Sequence, residues 1–189
     1  MKLNLYSARA IEQYSPAKLL IKHKRDLKAE LNELELIERE SAFEFEKVVF
    51  LRKVTKVVKG GRKHRYCALV VVGDTVGCVG AAMAKAVDAQ DAAIKASQRA
   101  HRLTVDVPLT SKGALPFSIE GKHNNTKIII NNSREGKGSK ASNITRAVLD
   151  AMGAKDISIK LIGSRNPHNV IKAMFNALNT LIDYCQLWR

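Results

Sequence analysis

The chain has 189 residues, 46% of them hydrophobic, which excludes wholesale disorder and allows one domain of typical size or two small ones sharing a core. Its 32 lysines and arginines exceed its 18 aspartates and glutamates. The resulting formal net charge of +14 favours a polyanionic partner, which is nucleic acid or, less often, an anionic membrane surface. No apolar run approaches the roughly 18 residues of a membrane-spanning helix, so no membrane partner is expected.

Residues 1–43 are predicted to form a helical extension. The segment 18–40 contains no proline or glycine, and four leucines fall near one face: Leu20, Leu27, Leu31 and Leu34. Most basic residues of this segment lie between Lys18 and Lys28, and most of its acidic residues lie between Glu30 and Glu40. Two interpretations stay open. The segment is either a solvated helix with one packed stripe, or a clip whose basic half contacts RNA and whose acidic half contacts a basic neighbour.

Residues 44–108 are predicted to form three strands and a helix in the order β-β-β-α. Residues 45–58 are rich in Val and Phe. A Gly60-Gly61 turn leads to the run RYCALVVVG, which is followed by a tight turn at Asp74-Thr75 and by the run VGCVGAA. Short strands joined by glycine-containing turns indicate antiparallel hairpins. Asp88 is expected to cap the helix, whose small residues recur at helical spacing and favour close packing on a sheet: Ala89, Ala92, Ala93, Ala96 and Ala100.

Residues 109–189 are predicted to form a mixed α/β half that begins with a linker at 108–113. Two strands, 117–120 and 127–131, precede a basic, glycine-spaced loop at 134–140. A helix ended by Gly153 follows, and its apolar positions are Ile144, Ala147, Val148 and Ala151. A strand at 156–163 leads to a last helix that begins at Pro167 and is expected to bury five side chains: Ile171, Met174, Phe175, Leu178 and Leu181.

The strongest local feature is the basic hairpin around Gly60 and Gly61. Residues 47–65 contain no acid and eight cationic side chains: Lys47, Arg52, Lys53, Lys56, Lys59, Arg62, Lys63 and Arg65. The glycines let backbone approach a surface closely, and the flanking cations can pair with phosphates. This combination favours contact with RNA or DNA over a solvated basic face.

No motif indicates catalysis, a metal or a cofactor. The glycines of GDTVGCVG do not match the phosphate loop GxxxxGK[ST] and stand between two strands, so they indicate turns. Asp74 and Asp88 suit turn and cap roles, because no histidine or nucleophile has a clear place beside them. The cysteines form no CxxC pair and are expected to be buried, reduced thiols: Cys67, Cys78 and Cys185. The loop at 134–138 could cradle an anion or contact a protein.

Three long runs resemble one family. The run KVTKVVKGGRKHRYCALVVVGDTVGCVGAAMAKA is similar to the signature of small-subunit ribosomal protein five, in which a KGGR turn leads to an aromatic residue, an apolar run, G-D and G-x-V-G. The later runs SREGKG, RAVLDAMG and GSRNPHNVIKA resemble the same family. The resemblance covers residues 46–181, which is most of the chain.

The resemblance implies an α+β fold with two lobes: a double-stranded-RNA-binding-like β-β-β-α lobe at 44–108 and the family's α/β second domain at 109–189. It implies a structural component of the small ribosomal subunit that binds rRNA near the mRNA entrance and supports translation and decoding accuracy. Its expected neighbours are ribosomal proteins of families four and eight.

The resemblance also implies roles for single residues. The expected RNA contacts are Arg52, Lys53, Lys56, Lys59, Gly60, Gly61, Arg62, Lys63 and Arg65. The first three would lie toward incoming mRNA. Glu135, Gly136 and Arg146 would face ribosomal protein four.

Several departures from the family pattern carry expectations of their own. Ala82 and Ala84 replace glycines, which would alter how closely backbone and RNA approach there, and KASN at 140–143 replaces a glycine-rich stretch before Arg146. The added termini favour an organellar ribosome, mitochondrial rather than plastid, with the bacterial cytoplasm as a further alternative. A free-standing RNA-binding or RNA-chaperone module is the alternative function. An enzyme comes third, because the phosphate loop is missing.

Overall fold

The first sheet of the protein is antiparallel, with strand order β1-β2-β3-β4. The computed structural model describes residues 43–187, and the first half of this range contains β1 (Phe45–Val58), β2 (Gly61–Gly73), β3 (Cys78–Ala86), α1 (Ala89–His101) and β4 (Thr104–Asp106). The predicted β-β-β-α order is confirmed. The three-residue β4 was not predicted, because so short a run shows no alternation. The helix predicted at 18–40 lies outside the described residues.

Helix α1 packs on the first sheet through small side chains. Ala92, Ala96 and Ala100 are fully buried against Ala68 and Val70 of β2. Asp88 occupies the N-cap position, but the prediction that its side chain caps the helix is wrong. The side chain makes no capping hydrogen bond there, and only the backbone oxygen of Asp88 accepts from the amide of Ala92.

The two alanines that replace family glycines also belong to this helix–sheet contact. Ala82 is 6% exposed in the alanine cluster, and Ala84 packs against that cluster from the edge. Their methyl groups therefore face α1. The expectation that they alter an approach of the backbone to RNA stays a prediction.

The second sheet consists of β5 (Ile119–His123), β6 (Thr126–Asn132) and β7 (Ile157–Gly163), all antiparallel, in that order. The strand predicted at 117–120 begins two residues later. Ile119, opposite Ile130, is its first buried residue, whereas Phe117 is 38% exposed. The strand also continues through Gly121, where a Cβ atom would lie 2.2 Å from the backbone oxygen of Ala173. A glycine is therefore needed where the last helix touches the sheet.

Helices α2 (Asn143–Ala151) and α3 (Pro167–Leu187) belong to the second half. The side chain of Ser142 accepts a hydrogen bond from the amide of Thr145 at the start of α2, and Gly153 follows the C-cap with a φ of +70°. Pro167 begins α3 as predicted. Four of the five predicted side chains of α3 are buried, but Phe175 is only half-buried.

One hydrophobic core joins the two halves. Leu69 and Val71 of β2 lie in the same buried cluster as Leu149 of α2 and Met174 of α3. The architecture is α+β, with a β-rich first lobe and an α/β second lobe, as predicted. The division into domains at 44–108 and 109–189 stays a prediction, and the structure adds that these halves share their core.

Candidate nucleic-acid interface

The distal part of the β1–β2 hairpin extends past the rest of the first sheet. β3 pairs with β2 only from Tyr66 to Gly73, whereas β1 and β2 remain paired as far as Val58 and Gly61. Residues 54–65, which we call the hairpin arm, are therefore two-stranded. The arm contains five residue pairs and is roughly 17 Å long at 3.4 Å per residue.

The cations of this hairpin are exposed and have no acidic partner among residues 43–187. All eight lysines and arginines between residues 47 and 65 are exposed. Within the described range, salt bridges link Lys112 to Glu135 and Lys127 to Glu120, and neither involves the hairpin. Lys56 lies directly opposite Lys63, an arrangement of like charges that destabilises a bare sheet. A bound polyanion would remove this repulsion.

The strand register divides the basic side chains of the β1–β2 hairpin between two faces. The odd-numbered residues of β2 point to the side of the common core, where Leu69 and Val71 are buried. Four cations share this side, because each is an odd-numbered residue of β2 or lies opposite one: Arg52, Lys56, Lys63 and Arg65. Lys53, opposite Tyr66, and Arg62, opposite Val57, lie on the α1 side. Both faces are cationic, and the face toward the common core carries more charge.

The turn of the arm uses glycine for its backbone conformation and leaves open space around it. Gly60 has a φ of +90° and Gly61 a φ of +154°, values that residues with a side chain rarely adopt. A Cβ atom built on either glycine would meet nothing within 4 Å. Among residues 43–187, no neighbouring atom would clash with a side chain at either position. Steric crowding is therefore not the reason for glycine here. The sequence prediction of RNA contact at these glycines stays a prediction.

The second predicted group of residues lies in the loop between β6 and α2. Glu135 and Gly136 are exposed, and Glu135 pairs with Lys112. The guanidinium group of Arg146 donates to the backbone oxygen of Ser139, 3.2 Å away, and thereby connects α2 to the loop. The structure thus brings Glu135, Gly136 and Arg146 to one loop region, next to the second sheet and separate from the hairpin arm.

Asp156 holds this loop in place and was missed by the sequence reasoning. Its carboxylate accepts hydrogen bonds from the amides of Gly136, 3.0 Å away, and Gly138, 2.7 Å away. These backbone hydrogen bonds, from Gly136 first and then Gly138, lower the pKa of Asp156 below its ordinary value of 3.8. No local pattern identifies this role, because the bonded residues are 18 and 20 positions apart.

We expect Asp156→Asn to loosen the loop without unfolding the protein. An amide side chain has one acceptor oxygen, so one of the two glycine amides loses its partner. Hydrogen exchange at Gly136 or Gly138 should then accelerate, while exchange in β6 stays slow. Because the folded-state pKa is lowered, the wild-type contribution is present above about pH 4 and is lost as the pH falls through that pKa. Asp150→Asn, on exposed α2 surface, is the control; equal exchange in both variants would contradict the role of Asp156.

At two glycines of GDTVGCVG, the backbone of another segment lies too close for a side chain. A Cβ atom on Gly73 would lie 2.1 Å from the backbone oxygen of Ala151, and one on Gly80 would lie 2.4 Å from that of Ala100. The carboxylate of Asp74 accepts from the amides of Val76 and Cys78, at 2.9 and 2.8 Å. The turn interpretation is confirmed, and Asp74 has the structural role that was predicted.

The three cysteines are free thiols that differ in burial. Cys67 is buried, but the prediction is wrong for Cys78 and Cys185, which are only half-buried. Burial, together with Asp106, raises the pKa of Cys78 to about 12, so this thiol stays protonated at neutral pH. Between residues 43 and 187 there is no group of three histidine, cysteine or acidic side chains that could hold a metal ion. No helix in the same range is long and apolar enough to cross a membrane.

Comparisons with known proteins cover both halves of the chain. The family model for ribosomal protein S5, N-terminal domain, matches residues 45–108, and the model for ribosomal protein S5, C-terminal domain, matches residues 121–189. A relative from Pelagibacter ubique named small ribosomal subunit protein uS5 is 42% identical over 134 residues, which are 71% of this chain and 79% of that protein. Relatives of the same name come from Acidithiobacillus ferrooxidans (39% over 137 residues, 72% of this chain and 78% of the relative) and Brucella anthropi (42% over 141 residues, 75% of each).

Proposed function

Since this chain belongs to the ribosomal protein S5 family, we propose that its hairpin arm binds rRNA in the small ribosomal subunit. The protein is a structural, non-enzymatic constituent of that subunit, and rRNA binding is general for the family. One observation carries the choice of the arm. The arm is a two-stranded projection with exposed cations and without an acidic residue, and a polyphosphate backbone is its natural electrostatic complement.

The proposed RNA contacts are the nine residues predicted from the sequence. Basic side chains of β1 and β2 supply charge on both faces of the arm, and the open turn supplies backbone that RNA can approach. They are Arg52, Lys53, Lys56, Lys59, Gly60, Gly61, Arg62, Lys63 and Arg65. We further propose that Arg52, Lys53 and Lys56 lie toward mRNA at its entrance to the subunit.

The loop held by Asp156 is proposed as a contact with a neighbouring protein. Glu135, Gly136 and Arg146 would face ribosomal protein four, and a member of family eight is the other expected neighbour. The support is geometric. Glu135 and Gly136 are exposed, and the loop is fixed by carboxylate–amide bonds, so it can present one conformation to a partner.

The proposed compartment is the mitochondrial ribosome, with the plastid and the bacterial cytoplasm as alternatives. The relatives named above are bacterial, which supports a bacterial-type ribosome and fits all three compartments. The argument for an organelle rests on the extension before residue 43, because the family model for the C-terminal domain extends to residue 189 and the tail is therefore not an addition.

We expect the wild-type protein to sediment with small subunits through a high-salt gradient, whereas Gly61→Val should be depleted from them. A loosely bound RNA-binding module would instead be washed off at high salt. The variant should remain folded, because a Cβ atom at Gly61 has no neighbour within 4 Å and the strain of its φ of +154° costs only about 1–3 kcal/mol at the tip of the hairpin. Its valine would nevertheless hold RNA away from the turn. Circular dichroism checks the fold, and gradient profiles check incorporation. If the folded Gly61→Val variant were fully incorporated into small subunits, RNA contact at this turn would be contradicted. The two glycines would then serve only to reverse the chain.

A further inference from the structure

The outer edge of β5 has no partner strand among residues 43–187. The side-chain amide of Asn176 donates to the backbone oxygen of Lys122, 3.0 Å away, so this oxygen points away from β6. Backbone groups of an antiparallel strand point alternately to its two sides, so those of Glu120 point outward as well. Within the described range, no backbone group accepts from or donates to these outward groups of Glu120. Such an edge is a template for another strand.

A mostly apolar groove of about 720 Å³ lies between this strand edge and the C-terminal half of α3. Phe117 and Tyr184 line it and form an edge-to-face pair with ring centroids 6.0 Å apart, yet they remain 38% and 51% exposed. Thr180, one turn before Tyr184, and Cys185 complete the helix side of the groove. Unpaired strand backbone beside a groove for side chains is the arrangement to which extended peptides bind by strand addition.

The groove has acidic surroundings, although the chain as a whole has a net charge of +14. Its one charged lining residue is Glu120, which pairs with Lys127. Asp183 is the only charged residue between positions 173 and 187 of α3, and it is exposed and forms no salt bridge within the described range. A phosphate backbone would find no cation among these lining residues and would be repelled by Asp183. The groove therefore suits a peptide that carries basic residues better than it suits RNA.

We propose that β5 accepts an extended segment of a neighbouring protein of the subunit as a fourth strand of the second sheet. The segment pairs with the outward backbone groups of Glu120 and with the amide of Lys122. Every second residue of the segment places an apolar side chain against Phe117 and Tyr184, and a lysine or arginine lies toward Asp183. β5 and β7 are opposite edges of this sheet, so the site is separate from the loop between β6 and α2, which bridges to β7.

The substitution Glu120→Pro tests the backbone pairing. Proline removes the outward amide, which the second sheet itself does not use, and edge strands tolerate proline where the N–H points outward. Glu120→Ala is the control, because it also removes the ion pair with Lys127 but keeps the amide. Each variant competes with isotopically labelled wild-type protein during reconstitution of small subunits. Glu120→Pro should be incorporated about fivefold less than Glu120→Ala, which is the effect of one hydrogen bond.

The substitution Tyr184→Ala tests the groove independently of the strand, should circular dichroism show that proline disturbs the fold. Its control is Ile94→Ala, which removes a similarly exposed apolar side chain from α1. Tyr184→Ala should be incorporated less than Ile94→Ala. All groove variants should bind deproteinised small-subunit rRNA as the wild-type protein does, because the groove is separate from the hairpin arm. This measurement distinguishes a failure of the groove from a failure of the proposed rRNA interface.

Hydrogen exchange and crosslinking of the full chain identify the occupant. The amides of Glu120 and Lys122 should exchange roughly tenfold more slowly in the assembled subunit than in the free protein, because strand addition pairs them. A photo-crosslinking residue at position 184 should join α3 to one segment of a neighbouring protein. Equal exchange in the two states, or equal incorporation within each pair of variants, would overturn the proposal. Crosslinks to rRNA or to this chain itself would also overturn it and would identify a different occupant.

Discussion

Replacing Lys59, Arg62, Lys63 and Arg65 by alanine is expected to weaken binding to small-subunit rRNA by about a thousandfold at 0.1 M salt. Each phosphate contact contributes roughly 0.7 to 0.9 to the slope of log K against log salt, so losing four contacts lowers the slope by about 3. These side chains are exposed and have no acidic partner within the described range. Their removal should therefore leave the fold intact. It should even relieve the repulsion between Lys63 and Lys56.

A matched variant removes four exposed lysines elsewhere: Lys95, Lys122, Lys155 and Lys160. It lowers the net charge by the same amount, so the general attraction to RNA falls equally in both variants. Only the hairpin variant should lower the slope of log K against log salt by about 3. If both variants lost the same small fraction of affinity, RNA binding would depend on net charge, and the arm would not be the interface.

We expect Gly73→Ala to destabilise the protein by about 3 kcal/mol, with a fall in Tm of about 10 °C. A Cβ atom at this position would lie 2.1 Å from the backbone oxygen of Ala151, at the junction of the two halves. The neighbouring amide of Thr75 also donates to that oxygen, 2.9 Å away. Relieving the clash means moving α2 away from β2, which would break this hydrogen bond and open the shared core.

Gly60→Ala is the control for this substitution. Its Cβ atom would meet nothing within 4 Å, so only the cost of its positive φ is expected, about 1 kcal/mol. Thermal unfolding followed by circular dichroism measures both variants. Equal stability of the two would show that the halves move apart easily, and that the contact between Gly73 and Ala151 does not couple them.

The errors of the sequence analysis arise because a local sequence pattern does not show which distant residues a segment will contact. The strand β5 was placed two residues early because apolar Phe117 resembles a strand residue, whereas pairing with β6 begins opposite Ile130. Asp88 has the residue type of a cap, yet its side chain makes no capping bond. The sequence alone did not show that Ala82 faces α1, and the structure does. For the start of β5 and for Ala82, packing against a distant segment decided the outcome.

The sequence by itself determined the features that depend on near neighbours. The run of cations without an acid, the glycine turn, the continuous apolar run of β2 and the glycine that ends α2 are all local, so their physical chemistry can be read from consecutive residues. The tertiary structure alone decided which distant residues meet. Asp156 binds amides 18 and 20 positions away, and Gly73 lies against Ala151. These contacts follow from strand register and helix packing, which are set by burying one core and not by any segment alone.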